Sequence, residues 1–326
     1  MLTSSSRLQP GHPNRLPLLP AILLAAAAQG QPAELPPDLI ELTPDSIRES
    51  MIAFVNLSTA PGLDGATFQV DTSVRESDLI RGSLGYTADL TLKDYIFDGY
   101  WGLALTYGRS DDTVRVRDAD GKALELDSER DILSFRSSGG FNFPFHQHFS
   151  VRSYLSMAVS QLETDTQVTG LGEQTILPLL ELDSAVDALT TSGTVVARYD
   201  RWFDSDRVEL SAQYTAAYTD TFNGSDEALD TWGWNETTLL RAAYSWDSGY
   251  RSNGRPWRWR AYGSHTQFHG LNNDALGFTY YTELGMGLDY EWNIRPLDWF
   301  GLRFIGFKLG FIFGNDVEGF SAGLSF

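Results

Sequence analysis

The chain has no cysteine, which excludes disulfide frameworks and thiolate metal sites. Lysine is nearly absent too, with only Lys93, Lys122 and Lys308. The 24 basic residues stand against 43 acids, for a net charge of −19. A balance this acidic argues against any nucleic-acid partner. Five histidines leave little material for acid–base chemistry. Past residue 28, no run approaches the ~20 apolar residues that a membrane helix needs.

What is present begins at the amino terminus. Arg7 and Arg15 precede or border an apolar run, Leu16–Ala28, that Pro17 and Pro20 interrupt. The run is too short to span a bilayer, and it ends in small residues, with Ala26 and Ala28 placed for cleavage before Gln29. Residues 1–28 therefore read as a secretory leader, 29–64 as an amino-terminal segment that is either periplasmic or lumenal, and 65–326 as one large β domain.

Alternation dominates that domain. In 206–220, Val208, Leu210, Ala212, Tyr214, Ala216 and Tyr218 share one face, against Arg207, Glu209, Ser211, Gln213 and Thr215. In 275–292, Leu276, Phe278, Tyr280, Leu284, Met286, Leu288, Tyr290 and Trp292 oppose Thr279, Tyr281, Glu283, Gly285, Gly287, Asp289 and Glu291. A period of two places each set on one side of a sheet. Globular strands average ~5–6 residues, whereas tilted membrane strands need ~9–11. Aromatics gather near the ends of the apolar faces, as at Trp257 and Trp259, where interfacial girdles lie.

The periodicity predicts twelve strands, near 65–73, 81–91, 97–109, 130–143, 148–162, 191–203, 206–220, 236–249, 255–268, 275–293, 298–314 and 316–326. In 298–314, Leu302 and Phe304 have the opposite parity to Ile305, Phe307, Leu309 and Phe311, which points to a bulge. Counted back from the carboxyl end, alternate links are short: 294–297, 250–254, 204–205, 144–147 and 92–96. The others include the long links 110–129, 163–190 and 221–235. An even strand number with short periplasmic turns and longer external loops is the pattern of single-chain outer-membrane barrels. The expected fold is an all-β transmembrane antiparallel barrel of a Gram-negative bacterium.

The last strand, VEGFSAGLSF, ends the chain with Phe320, Leu324 and Phe326 on one face. It resembles the signal read by the outer-membrane assembly machinery, which makes that machinery an expected partner beside outer-membrane lipid and lipopolysaccharide. Leader, short amino-terminal segment, twelve strands and the GFKLGF…GFSAGLSF ending together resemble the autotransporter translocator domain. More narrowly, they resemble solitary autotransporter-like barrels without a passenger, over roughly residues 45–326. Only residues 29–64 separate the leader from the first strand, so no secreted passenger fits. The paired asparagines of passenger cleavage are missing there, and Asn272-Asn273 lies in an external loop.

Thr43-Pro44-Asp45-Ser46 is a helix start: a capping hydroxyl, a proline at the first helical position, then an acid. Ile47, Met51, Ile52 and Val55 follow at helical spacing. By the resemblance this helix occupies the lumen. A short strand over 51–57, or a helix on the periplasmic rim, is equally compatible with the residues.

The faces opposite the apolar ones carry Arg136, Arg152, Arg198, Arg207, Arg241, Arg258, Arg260 and Lys308, with Asp89, Asp200, Glu209, Glu283, Asp289 and Glu291. These should line the lumen, and buried charges need partners. A tight 294–297 turn sets Lys308 nearly opposite Glu283, and the preceding link sets Arg258 near Asp289 and Glu291. Two functions follow: a plugged or salt-bridged barrel with no passenger, or a narrow ion or small-solute channel with an arginine-lined path.

Catalysis finds no constellation. Ser264 and His265 are adjacent and face opposite sides of the wall. His146 and His148 flank a short turn and would need one more ligand to bind a metal, a pairing more often incidental, and Asp118-Ala119-Asp120-Gly121 lacks the acid that completes a calcium loop, reading instead as a hairpin turn. No enzyme activity, metal or cofactor is expected. Two external stretches stand out: ILPLLELDSAVDAL within 163–190, apolar enough to fold back on something, and the acids of 221–235 beside Trp232 and Trp234. Those acids suit divalent cations bridging lipopolysaccharide, or simply a solvated loop.

Overall fold

The computed structural model describes residues 44–60, 65–72, 75–92, 95–117, 123–170, 183–224, 230–270, 276–291 and 304–325. One helix, α1 (Pro44–Thr59), precedes twelve strands. These are β1 (Gly65–Asp71), β2 (Arg75–Leu90), β3 (Asp98–Arg117), β4 (Ala123–His146), β5 (Phe149–Gly170) and β6 (Asp183–Phe203). They continue with β7 (Asp206–Phe222), β8 (Trp232–Ser252), β9 (Arg255–Gly270), β10 (Tyr280–Glu291), β11 (Phe304–Gly314) and β12 (Val317–Ser325). Each strand pairs antiparallel with its sequence neighbours, and β1 pairs with β12 to close the barrel, from Ala66 opposite Ser321 to Val70 opposite Val317. Closure removes the sheet edges that an open form would expose.

Parity sorts the wall into two faces. Leu105, Phe135 and Val159 lie side by side on β3, β4 and β5 and point outward, as do Leu284, Met286, Leu309 and Phe311 on β10 and β11. The apolar residues are thus the exposed ones, the inversion expected of a sheet whose outer solvent is lipid. Tight turns join strands at one end. Asn253 and Gly254 both take left-handed φ (52° and 74°), as a two-residue hairpin between right-twisted strands requires. Register shifts at Pro144/His146 and Asp247/Arg251 sit at this same end.

The other end differs from the sequence expectation in where its length lies. β3, β4, β5, β6 and β8 run for 20, 24, 22, 21 and 21 residues, so much of what reads as external loop is strand. Arg117 pairs with Ala123, so β3 and β4 are paired to their ends, while the hairpin turn read at 118–121 lies outside the described residues. The SAVDAL part of the apolar 176–189 stretch is strand β6, with Val186 opposite Leu162. These extensions keep their alternation but turn hydrophilic outside. Asp78, Asp111, Glu129 and Asp165 stand in register across β2–β5 on the outer face. Like charges directly opposed are tolerable only in water, so this row marks where the wall has left the lipid.

Two further expectations are corrected. β2 begins at Arg75, not near residue 81, because a tight link follows β1. Leu276 and Phe278 are not on the outer face of a strand: β10 starts at Tyr280, and both residues are buried. β11 starts at Phe304 and pairs with β10 without a shift, so the bulge read at Leu302, and the 294–297 turn, lie outside the described residues.

Candidate functional site in the barrel lumen

Helix α1 runs inside the barrel, with Met51–Thr59 buried on every side. Its direction follows from its anchors. Arg130 donates from Nη1 to Ser50 Oγ at 2.7 Å, while Arg136, nearer the turn end of the same strand, donates to the Thr59 carbonyl at 2.8 Å. The carboxyl end of α1 therefore points toward the short turns. The last carbonyls of a helix lack internal partners and carry partial negative charge. Arg81 answers both needs, reaching Ser58 O at 2.9 Å and Ala60 O at 2.9 Å. On the far side, Thr219 Oγ1 donates to Asn56 Oδ1 at 2.8 Å. Gly108 lets the helix lie close to β3: a Cβ there would come within 3.0 Å of Ser58 Oγ and 2.8 Å of Ile132.

Around the helix the lumen has three layers. Toward the link end is a dry one. Met51, Phe54, Val55 and Leu57 of α1 form one apolar cluster with Phe68 and Val70 of β1, Ile132 of β4, Leu162 of β5, Val186 of β6, Phe268 of β9 and Ile312 of β11. The cluster joins opposite walls through the helix. Beyond the outer apolar band lies an ion cluster on the inner face. Asp112 receives Arg75 Nη2 at 2.8 Å and Ser110 Oγ at 3.0 Å, and Arg130 stands at 3.6 Å. Burial alone would raise the Asp112 carboxyl; the Arg130 and Arg75 guanidiniums, with hydrogen bonds from Ser77 and Arg75, outweigh it and hold the group at about 2. A carboxyl lowered on folding stabilises above its ordinary pKa and loses that contribution as pH falls through the folded value. The barrel should thus lose about 2 kcal/mol between roughly pH 4 and pH 2, and Asp112→Asn should remove most of that slope in urea titrations.

The third layer, toward the turn end, holds most of the sequence-picked charges. Arg207 Nε donates to Asp200 at 2.9 Å and its Nη2 lies 3.1 Å from Glu209. Arg260 pairs with Glu209 and stands 3.7 Å from Asp289. Arg152 binds both oxygens of Asp89 at 2.7 Å and lies over the Tyr100 ring at 4.2 Å. Arg198 sits among Arg152, Asp89, Glu209 and Asp200. Arg258 is in register with Asp289, yet its guanidinium takes the Ser205 and Ser245 carbonyls and lies over Trp202 at 4.8 Å. Glu291 ends β10, paired with Phe304.

Lys308 is not opposite Glu283. It pairs with Gly287, four positions away, and faces the Tyr262 ring at 5.8 Å. Glu283 pairs with Ile312 and accepts from Tyr262 Oη at 2.8 Å, Ser264 Oγ at 3.4 Å and Ser321 Oγ at 2.5 Å. Gly310 makes room for this group, since a Cβ there would lie 2.7 Å from Tyr262 Oη and 2.8 Å from Glu283. Arg241 is level with Ser264 and Ser211. Phe320 and Leu324 point outward into the apolar band, and Phe326 lies outside the described residues. Ser264 is buried in the lumen while His265 bonds Thr282 on the outer side, at opposite faces of the wall. The rings of His146 and His148 are 5.7 Å apart, and no group of three metal-type ligands occurs among the described residues.

Sequence reasoning missed Arg75, Arg81, Asp112 and Arg130. The parity of Leu79 and Arg81 against Ile80 and Leu84 carries the signal for Arg81, but it requires β2 to start six residues earlier than the alternation alone suggests.

No protein-family model and no curated protein matches the chain. Solved structures do. The transport unit of the autotransporter AIDA-I from Escherichia coli superposes with a TM-score of 0.52 at 10% identity, covering 87% of this chain and 98% of that one. The translocator domain of autotransporter NalP from Neisseria meningitidis gives 0.50 at 9% identity over the same shares. The fold is that of an autotransporter translocator barrel. At these identities the likeness is one of fold, and the translocator fold alone assigns no activity. In this translocator-type barrel the short turns lie at the periplasmic end and the strand extensions at the external end.

Proposed function

We propose that this chain is an integral outer-membrane barrel of the translocator type whose lumen is closed by its own helix and which carries no separate passenger. One observation carries the reading: Met51–Thr59 of α1 are buried on all sides, within an apolar layer that reaches both walls. A dry layer across the lumen opposes passage of ions, whose desolvation is costly. The third, charged layer supports a bracing role, since Arg152, Arg207 and Arg260 spend their charge on Asp89, Asp200, Glu209 and Asp289. On this reading the leader 1–28 is removed on export, the chain resides in the outer membrane of a Gram-negative bacterium, and its role is not enzymatic. Its partners are membrane lipid, lipopolysaccharide (through divalent cations at the acids of 221–235), and the assembly machinery through Phe320, Leu324 and Phe326.

Planar-bilayer recording of residues 29–326 tests the closure. Silence is the expected result. Stable ion-selective steps that reverse selectivity in an Arg258→Glu, Arg260→Glu variant would establish the arginine-lined channel instead.

A further inference from the structure

Two residues of the external apolar layer do not come from the wall or from α1. Leu276 and Phe278 belong to the link between β9 and β10, and both are buried, Phe278 completely. The Phe278 ring stacks on Phe68 at 6.3 Å and meets Phe268 at 5.8 Å and Tyr281 at 6.3 Å, edge to face. The Tyr281 ring also meets Phe68 at 5.6 Å and Phe268 at 6.0 Å. The cage is thus carried by β1, β9 and β10, and a link residue fills it.

The backbone around Phe278 is latched as well. Asn315, in the turn between β11 and β12, accepts at Oδ1 from Thr279 N (3.1 Å), Thr279 Oγ1 (3.1 Å) and Tyr280 N (3.3 Å). Phe268 N donates to the Thr279 carbonyl at 2.9 Å. Gly277 takes φ +79°, the left-handed region that glycine enters without cost, and a Cβ there would meet Val70 at 3.0 Å. Among the described residues, the hydrogen bonds and ring contacts that hold 276–279 come from β1, β9, β10 and the 315–316 turn. None comes from α1.

We infer that residues 276–279 are a second closure of the lumen, a lid over the external mouth latched by Phe278 and Asn315, that opens independently of α1. The lid governs access from the cell surface to the external half of the lumen, and α1 governs passage through it. This rests on the proposed closure by α1, and the test separates the two.

Because the chain has no cysteine, single thiols report without background. Ile312, fully buried on β11 beside the latch, is one probe site. Ser156, lining a small polar cavity beside Asn56, Thr59 and Arg136, is the other. Maleimide labelling of Ile312→Cys and Ser156→Cys is followed in the folded full chain, in detergent, with the heat-modifiable gel shift as the check on folding. Phe278→Ala, or Asn315→Ala as a second way to release the latch, should speed labelling at position 312 about tenfold or more and leave position 156 unchanged. Arg81→Met with Arg136→Met, which frees the end of α1, should speed position 156 and leave 312 protected. If both latch variants leave position 312 protected, the lid is overturned while the helix closure stands. If freeing α1 exposes position 312 as much as Phe278→Ala does, the lid is no independent closure and the inference fails. If freeing α1 leaves position 156 protected, the helix closure fails, and the lid is still decided by position 312.

Discussion

Without residues 44–60, the barrel should conduct in brief interrupted openings; with Phe278→Ala added it should conduct in stable steps, while the whole chain should stay silent. The reason lies in what each element contributes to the dry layer. Twelve strands enclose more space than inward side chains alone fill, and the surplus takes a helix. Met51, Phe54, Val55 and Leu57 supply the centre of the layer, and Ile132, Leu162 and Val186 lose their partners when these leave. What remains at the periplasmic side is polar and salt-bridged and admits water. What remains at the external mouth is the Phe278 latch, whose local opening sets the frequency of conduction. Mean current should rise by about tenfold or more in the helix deletion and further in the double variant, because ion passage through a wetted pore avoids the desolvation that a packed apolar layer imposes. A helix deletion that folds, as shown by heat modifiability, and stays silent with Phe278→Ala in place would contradict this.

Asp112→Ala should cost about 3–5 kcal/mol of unfolding free energy, because removing the carboxylate of a buried ion cluster takes away the charge that offsets its guanidiniums. The Asp112 side chain is 1% exposed, and its partners Arg75 and Arg130 are each 13% exposed. Without the carboxylate, two guanidiniums face one another away from water. Arg130 also anchors Ser50, so the loss extends to the amino-terminal half of α1. Removing all three charges for apolar residues of similar volume should recover much of the loss, since desolvation of the cluster then vanishes with its attraction. The urea midpoint of the micelle-bound barrel reports both variants. A change below about 1 kcal/mol in Asp112→Ala would mean that the site is wetter than its geometry indicates.

Much of this architecture is legible in the residues because a lipid-facing wall forces a strict period of two. That period places Leu210, Tyr214, Leu284 and Met286 outside and Arg152, Arg207 and Arg260 inside with no knowledge of neighbours. Register is another matter. Lys308 and Glu283 share a face, yet which residue lies opposite which depends on where β10 ends and β11 begins, and periodicity does not set the length of a link. The lid misleads for a related reason. Leu276 and Phe278 continue the outward parity of β10, so alternation alone enrols them in the strand. Only the left-handed Gly277 breaks the strand, and a glycine inside an alternating run is ambiguous between a bulge and a turn. The placement of α1 is hidden differently. Ile47, Met51, Ile52 and Val55 fall at helical spacing, but a helical apolar stripe does not say what covers it, so the lumen and the periplasmic rim read alike. The extensions beyond the lipid also evade the reading, because their outward acids look like loop until Asp111 is seen opposite Glu129.

Closure of the lumen turns on where α1 lies. A small fluorophore attached at Ile52→Cys in the folded full chain, challenged with iodide, tests this most directly, since Ile52 is 1% exposed within the lumen. The helix in the lumen predicts that iodide quenches the probe far less than it does in the urea-unfolded chain. Equal quenching in the folded and unfolded states would place α1 in open water and contradict the closure.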